Sequence, residues 1–185
     1  MIRLFHAYAE YPGKTVFSDL TLTFPDTGAV ALMAPSGFGK TALLRVLAGL
    51  LQIQSGTITG LEDKKISFLF QEDRLLPWLT AEKNVALVSN QTTAISWLKK
   101  MEIDNPRMLP HEMSGGMQRR VSLARAMAFG GDVLLLDEPF KGLDEALRAR
   151  IAERIRNQFP LTILSVHDAA EAELMGAQVI RLDQE

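Results

Sequence analysis

The sequence has 185 residues, of which 47% are hydrophobic, and it carries a formal net charge of −2. A chain of this length and composition can bury one sizeable core, so we expect a single domain. The small negative charge argues against a general attraction to nucleic acid or anionic lipid, and the absence of cysteine excludes disulfides, thiol catalysis and cysteine-based zinc sites.

The first third of the chain is predicted to form strands, a glycine turn and a helix. It begins without the apolar run of a signal peptide, and no stretch of the sequence approaches the roughly 18 apolar residues of a membrane-spanning helix. Residues 16–24 alternate as in a half-buried strand, whereas residues 29–33 are continuously apolar, as in a strand covered on both faces. Leucines at helical spacing follow over residues 41–51, so a turn containing Gly37 and Gly39 joins a buried strand to a helix.

The remaining pattern alternates strands with helices. Residues 66–70, 133–136 and 161–166 are short apolar runs that are typical of central strands. Ser114 or a neighbour can begin a helix that runs to about residue 128, and Asp144 can begin another that runs to about residue 158. These elements predict an α/β fold with a mostly parallel central sheet and antiparallel strands at the N-terminus.

A different pattern, with helices and no strand, covers residues 71–128. Thr80 can begin a short helix, residues 96–101 have a helical pattern, and Pro77, Pro106 and Pro110 interrupt the segment. We therefore predict one domain over residues 1–185. Its sheet core is formed by residues 1–70 and 129–185, and an inserted helical subdomain covers about residues 71–128.

Residues 34–41, Ala-Pro-Ser-Gly-Phe-Gly-Lys-Thr, form a candidate phosphate loop. Glycines allow the backbone to approach a phosphate, Lys40 can reach the β and γ phosphates, and the hydroxyl of Thr41 can hold magnesium. An ordinary helix start with a surface lysine is the alternative. Ala34 replaces the usual leading glycine, which predicts a strained turn and a weaker affinity for nucleotide. The predicted nucleotide-binding residues here are Ser36, Gly37, Phe38, Gly39, Lys40, Thr41 and Ala42.

Polar side chains follow the predicted central strands. Asp137 and Glu138 end one strand at the carboxyl edge, where open α/β sheets bind ligands. Asp137 can orient magnesium through water, and Glu138 can polarise the water that attacks a γ-phosphate. Gln71 can place an amide oxygen on magnesium or water, and His167 can donate to the γ-phosphate. The alternative is that these side chains are exposed or structural groups at strand ends.

A second glycine-rich helix start, Ser114-Gly115-Gly116-Met117-Gln118, offers the same anion-binding chemistry as the phosphate loop. The unpaired N–H groups and the positive end of the helix dipole both favour a phosphate. Two such features cannot easily serve one nucleotide within one chain. We therefore predict an ATPase site that closes between two copies, in which Ser114, Gly115 and Gly116 cover the ATP bound by the other copy.

Adenine is expected to stack on an aromatic ring near the beginning of the chain. Tyr11 is preferred because it lies beside the turn at residues 12–13. Tyr8 is the competing candidate, and an exposed loop tyrosine with no role in binding is the alternative.

The motifs described above occur in an order that resembles the ATP-binding subunit of an ABC transporter, and the resemblance spans nearly the whole chain. It rests chiefly on Ser114, Gly115 and Gly116, because many phosphate-loop enzymes lack this signature. The resemblance implies a P-loop NTPase core that uses ATP and Mg²⁺. It further implies a magnesium-organising role for Asp137, with Thr41 and Gln71 also near the metal, a catalytic base at Glu138, a switch histidine at His167 and a loop at Asp144 that crosses to the partner subunit.

Residues 71–80 and 114–117 look like the nitrate, sulfonate and taurine group of importers, in which methionine commonly ends the signature. Met113 and the pair Lys141-Gly142 depart from the family pattern. The resemblance implies a cytoplasmic subunit, peripheral on the inner face of the cell membrane, that pairs with a second copy and with a membrane permease. Residues 74–78 would dock the permease, although Trp78 and Leu79 fit the core of the helical subdomain equally well.

Three other functions stay open on the sequence. A soluble ABC-type ATPase would hydrolyse ATP without any permease. A small-molecule kinase would use the same phosphate loop and would treat residues 114–116 as a plain helix start. A nucleotide-binding scaffold without turnover is conceivable because of Ala34.

Overall fold

The computed structural model describes residues 1–35 and 37–182, which form two β-sheets and six α-helices. The strands are β1 (Ile2–Tyr11), β2 (Lys14–Phe24), β3 (Gly28–Met33), β4 (Ser55–Thr59), β5 (Ile66–Leu69), β6 (Val133–Asp137), β7 (Leu161–Val166) and β8 (Gln178–Arg181). The helices are α1 (Lys40–Leu47), α2 (Ala81–Ala86), α3 (Gln91–Lys100), α4 (Gly115–Phe129), α5 (Glu145–Ile155) and α6 (Ala169–Met175), with a short 3₁₀ helix at Pro110–Glu112.

The two sheets differ in strand direction. One is antiparallel, with the strand order β2-β1-β4. The other has the order β5-β6-β7-β3-β8, and its paired strands are parallel. The predicted α/β fold, with a parallel central sheet and antiparallel N-terminal strands, is confirmed.

The central strands are buried on both faces, as their continuous apolar sequences predict. Alternate residues of β6 belong to two core clusters: Leu134 and Leu136 pack with α2 to α6, whereas Val133 and Leu135 pack with α1 and the antiparallel sheet. The parallel sheet therefore lies between two layers. Because parallel strands share a direction, the polar residues that follow β3, β5, β6 and β7 meet at one edge of the sheet.

Three helix boundaries differ from the predicted ones. Helix α1 ends before Leu51 because the backbone turns left-handed at Gly49, with φ 70°. Helix α3 begins five residues earlier than predicted, since the side chain of Asn90 accepts a hydrogen bond from the N–H of Thr93 at 2.9 Å and caps it. Helix α5 ends before residue 158 because Arg156 leaves the helical region and Asn157 has φ 62°.

Helices α2, α3 and α4 pack on one another and share the core cluster on one side of the parallel sheet. The proposed limits of a helical subdomain at residues 71 and 128 stay a prediction. Within the part of the chain that the structure describes, no helix combines the length and the hydropathy that crossing a bilayer requires.

An ion-pair cluster centred on Glu102 joins the end of α3 to α5. Arg150 forms a bidentate pair with its carboxylate at 2.9 and 3.1 Å, and Arg154 lies 2.7 Å from the same group. The hydrogen bond from Arg150 lowers the pKa of Glu102 from about 4.5 to about 2. Since the folded protein holds this carboxylate ionised, the cluster stabilises the fold above pH 4.5, and that stabilisation is lost as the pH falls toward 2.

We expect Glu102→Gln to lower the melting temperature at pH 7 by about 2 °C, because a partly exposed ion-pair network contributes little. The difference between the variant and the wild type should shrink as the pH falls from about 4.5 to about 2. Thermal unfolding followed by circular dichroism between pH 7 and pH 3 measures both effects. Glu153→Gln is the control, because Glu153 lies on α5 with Arg150 and Arg154 and has no ion pair among the described residues. A pH-independent difference for Glu102→Gln would contradict the assignment.

Candidate functional site

The phosphate loop connects β3 to α1 through two left-handed glycines. Gly37 has φ 84° and Gly39 has φ 92°, which is a backbone region that side chains disfavour. A Cβ atom at Gly39 would also lie only 2.6 Å from Cγ1 of Val16. The ammonium group of Lys40 is buried under the loop and donates a hydrogen bond to the carbonyl oxygen of Ala34 at 2.6 Å.

Ala34 does not strain this loop, contrary to the prediction. It has no positive φ, so this position makes no use of the conformational freedom of glycine. Ala34 instead packs against the core cluster that contains α1. The predicted phosphate contact at Ser36 lies outside the described residues.

A cavity of about 350 Å³ opens in front of this loop, and all ten residues that line it were predicted as site residues. Six come from the loop and the first turn of α1, and the others come from the end of β1 and from the residues that follow β5, β6 and β7. The lining residues are Tyr11, Gly37, Phe38, Gly39, Lys40, Thr41, Ala42, Gln71, Glu138 and His167.

The carboxylate of Glu138 lies at the centre of the polar groups in this cavity. Its Oε1 atom is 3.1 Å from Nε2 of His167 and accepts a hydrogen bond from the amide of Gln71 at 3.3 Å. The ammonium group of Lys141 is 3.8 Å from its Oε2 atom. With 14% of the side chain exposed, Glu138 is largely shielded yet open to the cavity. Three predicted groups from three strand ends thus converge, as a positioned general base requires.

Asp137 lies behind Glu138 and is held by the neighbouring strand. The register pairs Asp137 with Ser165, whose hydroxyl donates to Oδ1 of Asp137 at 2.8 Å and accepts from the N–H of Glu138 at 2.9 Å. The other carboxylate oxygen, Oδ2, is buried without a hydrogen-bond partner in the described structure. An unpartnered buried carboxylate oxygen is costly unless another group satisfies it.

These residues fit a magnesium ion. A hydroxyl at Thr41, an amide at Gln71 and the unpartnered oxygen of Asp137 are hard oxygen ligands of the kind that Mg²⁺ selects. Among residues 1–35 and 37–182, no three carboxylate or imidazole side chains converge on one metal position. Mg²⁺ usually takes few protein ligands and completes its shell with water and substrate phosphates.

Tyr11 rather than Tyr8 lines the cavity, which agrees with the preference stated from the sequence. The hydroxyl of Tyr11 accepts a hydrogen bond from Arg45 of α1 at 3.0 Å. The hydroxyl of Tyr8 instead donates to the carboxylate of Glu10 on its own strand at 2.5 Å. Stacking of adenine on Tyr11 stays a prediction.

Two residues of the signature segment (residues 114–117), Gly115 and Gly116, line a different cavity. Ser114 caps α4 by accepting from the N–H of Met117 at 3.2 Å, and both Ser114 and Gly115 are exposed. A Cβ atom at Gly116 would lie 3.0 Å from the carbonyl oxygen of Gly142, so glycine permits this close approach. The second cavity, of about 700 Å³, is lined by Gln71, Glu72, Asp73, Gly115, Gly116, Arg119, Lys141 and Gly142.

Within one chain, the fold therefore separates the two predicted phosphate-binding helix starts. The two cavities share Gln71, and the first contains no residue of the signature segment. Asp144 lines neither of them. It caps α5, as predicted, by accepting from the N–H of Leu147 at 2.9 Å. A further cavity of about 680 Å³ between α5 and α6 is lined by none of the predicted site residues.

Two residues that contribute to this edge of the sheet were not predicted from the sequence. Ser165 positions Asp137 and Glu138, and the signal was a serine near the carboxyl end of the mostly apolar strand β7. Arg119 lies on the buried face of α4, and burial lowers the pKa of its guanidinium while the carboxylate of Asp73 opposes that effect. An arginine at helical spacing from buried Leu123 and Ala126 was the corresponding signal.

The chain is similar to ATP-binding proteins of bacterial importers. It matches the family model described as ABC transporter over residues 17–141. It is 39% identical to an aliphatic sulfonates import ATP-binding protein of Paracoccus denitrificans, covering 97% of this chain and 77% of that protein. It is 34% identical to the taurine import ATP-binding protein of Escherichia coli O157:H7, covering 98% and 79%. A dimeric, post-hydrolysis structure of the ATP-binding cassette MJ0796 with ADP and phosphate superposes with a TM-score of 0.88 at 25% identity, covering 98% of this chain and 94% of that one.

Proposed function

This chain belongs to the ABC transporter family, and on that premise we propose that it is the ATP-binding and ATP-hydrolysing subunit of a membrane importer. The relatives at 34% and 39% identity are named as taurine and sulfonate import proteins, which supports import as the direction of transport. The subunit would act on the cytoplasmic side of the membrane, bound peripherally to a permease. It would power transport through ATP-dependent pairing with a second copy.

The observation that carries this proposal is the separation of the phosphate loop from the signature segment within one chain. Both are helix starts suited to a phosphate, yet they line different cavities. Two copies related by a two-fold axis would bring the loop of each chain to the signature of the other. The solved cassettes that superpose on this chain are described as dimeric, which supports the pairing of two copies.

The residues of the first cavity have distinct proposed roles in ATP turnover. Lys40 would exchange its bond to the carbonyl oxygen of Ala34 for the β and γ phosphates. Glu138 would take the proton of the attacking water, with His167 and Gln71 holding its Oε1 atom. When bound, Mg²⁺ would neutralise charge on the β and γ phosphates, held by Asp137, Thr41 and Gln71.

Closure by the second copy would complete the site. Ser114 and the N–H groups of Gly115 and Gly116 are exposed or half-buried at the start of α4 and are therefore available to the partner's γ-phosphate. Closing would also exclude water other than the nucleophile. Hydrolysis would remove the γ-phosphate that joins the two copies and so release them.

A rigid loop beside the helices offers a surface to the permease. Trp78 is 71% exposed, so the alternative that places it in the core is wrong. The buried amide of Asn84 holds the loop by accepting from the N–H of Leu76 at 2.8 Å and donating to the carbonyl oxygens of Leu76, Leu79 and Thr80. An aromatic side chain on a fixed loop is a typical interface anchor.

An apolar groove begins in the same loop. Arg74 stacks over the ring of Phe70, 4.0 Å from its centroid, and both line a cavity of about 370 Å³. Val88 and Phe129 form other parts of its wall. A permease segment with an apolar face would bury Trp78 and fill this groove.

We expect Trp78→Ser to leave the ATPase activity of the isolated chain unchanged and to lower its retention on permease-containing membranes by about tenfold or more. The measurement is sedimentation with membranes after co-expression with candidate permeases from the same genome. Ile95→Ser, an equally apolar exposed position on α3 that does not line the groove, is the matched control. Equal retention of Trp78→Ser and wild type would remove Trp78 from the interface, and ATPase-active protein that never sediments with membranes would favour the soluble ATPase.

A further inference from the structure

One guanidinium group holds the backbone at the ends of two neighbouring strands. Arg119 donates through Nη1 to the carbonyl oxygens of Phe70 at 2.6 Å and Gln71 at 3.3 Å, just beyond β5. Through Nη2 it donates to the carbonyl oxygen of Glu138 at 2.8 Å and to that of Asp137, at the end of β6. The pairing between β5 and β6 ends at Leu69 and Leu136, whereas Asp137 still pairs with Ser165 of β7. Arg119 therefore joins the two strands just beyond the point where their pairing with each other ends.

The arginine is enclosed and fixed in orientation. Only 3% of its side chain is exposed, and Nη1 also donates to Oδ1 of Asp73 at 3.2 Å. A planar guanidinium has donors in a fixed fork, whereas the ammonium group of lysine is a single point. The four carbonyl oxygens therefore have a set spacing, which a residue without the fork would not reproduce.

The backbone that Arg119 holds carries the two side chains proposed to act on water. Glu138 has φ 50°, a left-handed conformation that is unfavourable for a residue with a side chain. Its N–H is bonded to Ser165 and its carbonyl oxygen to Arg119, so both ends of the residue are restrained. The side chain of Gln71 then meets that of Glu138 at 3.3 Å.

Arg119 also belongs to the helix that begins at the signature segment. It lies in the second turn of α4, which starts at Gly115. A shift of that helix would therefore move the donors on which Gln71 and Glu138 depend. In the proposed dimer, the signature segment covers the ATP that the partner binds, whereas Gln71 and Glu138 act on the ATP that their own chain binds. Arg119 connects these two parts of the chain.

We propose that Arg119 is a positioning residue for ATP turnover, which fixes the backbones of Gln71 and Glu138 relative to each other and to helix α4. This inference rests on the proposed function, because it assigns to Arg119 the placement of the proposed base. Arg119 does not line the first cavity, where the nucleotide is proposed to bind. Its effect should appear in the rate of the chemical step rather than in the affinity for ATP.

Arg119→Lys keeps the charge and removes the fork. We expect it to lower kcat by about tenfold to a hundredfold while KM for ATP stays within about threefold, because a small displacement of a catalytic group slows chemistry strongly. Steady-state phosphate release gives both constants, and thermal unfolding establishes the folded fraction. If the lysine variant does not fold, Arg119→Gln, whose amide also donates two hydrogen bonds, is measured in its place.

Arg120→Lys is the matched control. Arg120 follows Arg119 on α4, and its Nη1 donates to the carbonyl oxygens of Met101 at 2.7 Å and Glu102 at 2.6 Å, away from the strand ends. Arg120→Lys removes a guanidinium group from the same helix as Arg119→Lys does. We expect the kcat of Arg120→Lys to stay within about twofold of wild type. An equal fall in kcat for both variants would overturn the inference, since it would reflect a general effect on α4.

A double variant tests whether Arg119 acts through Glu138. If it does, Arg119→Lys combined with Glu138→Gln should turn over within about twofold of Glu138→Gln alone, because the effects of coupled residues do not add. A further fall of tenfold or more would overturn the inference. Wild-type turnover by Glu138→Gln would instead overturn the proposed role of Glu138, whereas slow Glu138→Gln with a fully active Arg119→Lys would overturn the inference alone.

Discussion

Glu138→Gln is expected to lower the turnover number for ATP by about a hundredfold or more and to leave the affinity for ATP within about threefold. The amide of glutamine can still accept a hydrogen bond where Gln71 and His167 now meet Oε1, so the shape of the cavity is kept. It cannot take a proton from water, which is the function lost. Steady-state phosphate release measures turnover, and equilibrium binding of a fluorescent ATP analogue measures affinity.

Glu153→Gln provides the control for this charge change. Glu153 lies on α5 and lines the cavity between α5 and α6, which contains no predicted site residue. Its turnover should equal that of the wild type. Undiminished turnover of Glu138→Gln would remove Glu138 from the mechanism and would leave the convergence of three strand-end groups as a structural feature only.

Ser114→Arg is expected to abolish ATP-dependent dimerisation while the monomer stays folded. The larger, cationic side chain would fill the exposed start of α4, where the partner's γ-phosphate is proposed to bind. Loss of the hydrogen bond to the N–H of Met117 should cost only about 1 kcal/mol of stability. Light scattering with and without ATP, in the slowly hydrolysing Glu138→Gln background, measures the dimer.

Asn90→Arg separates the loss of a helix cap from the loss of the interface. Asn90 caps α3 as Ser114 caps α4, by accepting from an N–H three residues later, and it is likewise exposed. It lines neither of the two site cavities. Asn90→Arg should lower stability by a similar amount and dimerise normally with ATP. A nucleotide-dependent dimer of Ser114→Arg would refute the proposed sandwich.

The sequence predicted best the strands that lie in the middle of the sheet. The run at residues 133–136 is apolar throughout because both of its faces are buried, and it forms β6. Strand β1 was not delimited, because register shifts interrupt its pairing with β2 and β4 and disturb the alternation of its side chains. Strand β8 lies at one edge of the sheet, and its mostly exposed residues give no continuous apolar run. Strand β5, expected to be central, lies at the other edge; its run is apolar because its residues pack against both core clusters.

The candidate site was predictable where one short segment carries its chemistry. Gly37 and Gly39 are needed for their positive φ, and Glu138 follows a buried strand, so local patterns were sufficient for both. Arg119 could not be predicted from a local pattern, because its partners lie 18 to 49 positions away and meet it only when α4 packs on the strand ends. The prediction of strain at Ala34 was wrong for a related reason, because comparing a motif with the usual pattern gives no backbone angle.

The composite site is tested most directly by mixing two inactive chains. Lys40→Ala removes the ammonium group of the phosphate loop, and Ser114→Arg blocks the signature segment, so neither chain alone should hydrolyse ATP. In a mixed pair, Lys40 of one chain faces Ser114 of the other and forms one intact site. The mixture should therefore regain ATP hydrolysis, up to about half of the wild-type rate, because each mixed pair holds one intact site of two and the Ser114→Arg chains do not pair with each other. A mixture as inactive as its two components would contradict the account, because it would place the whole site within a single chain.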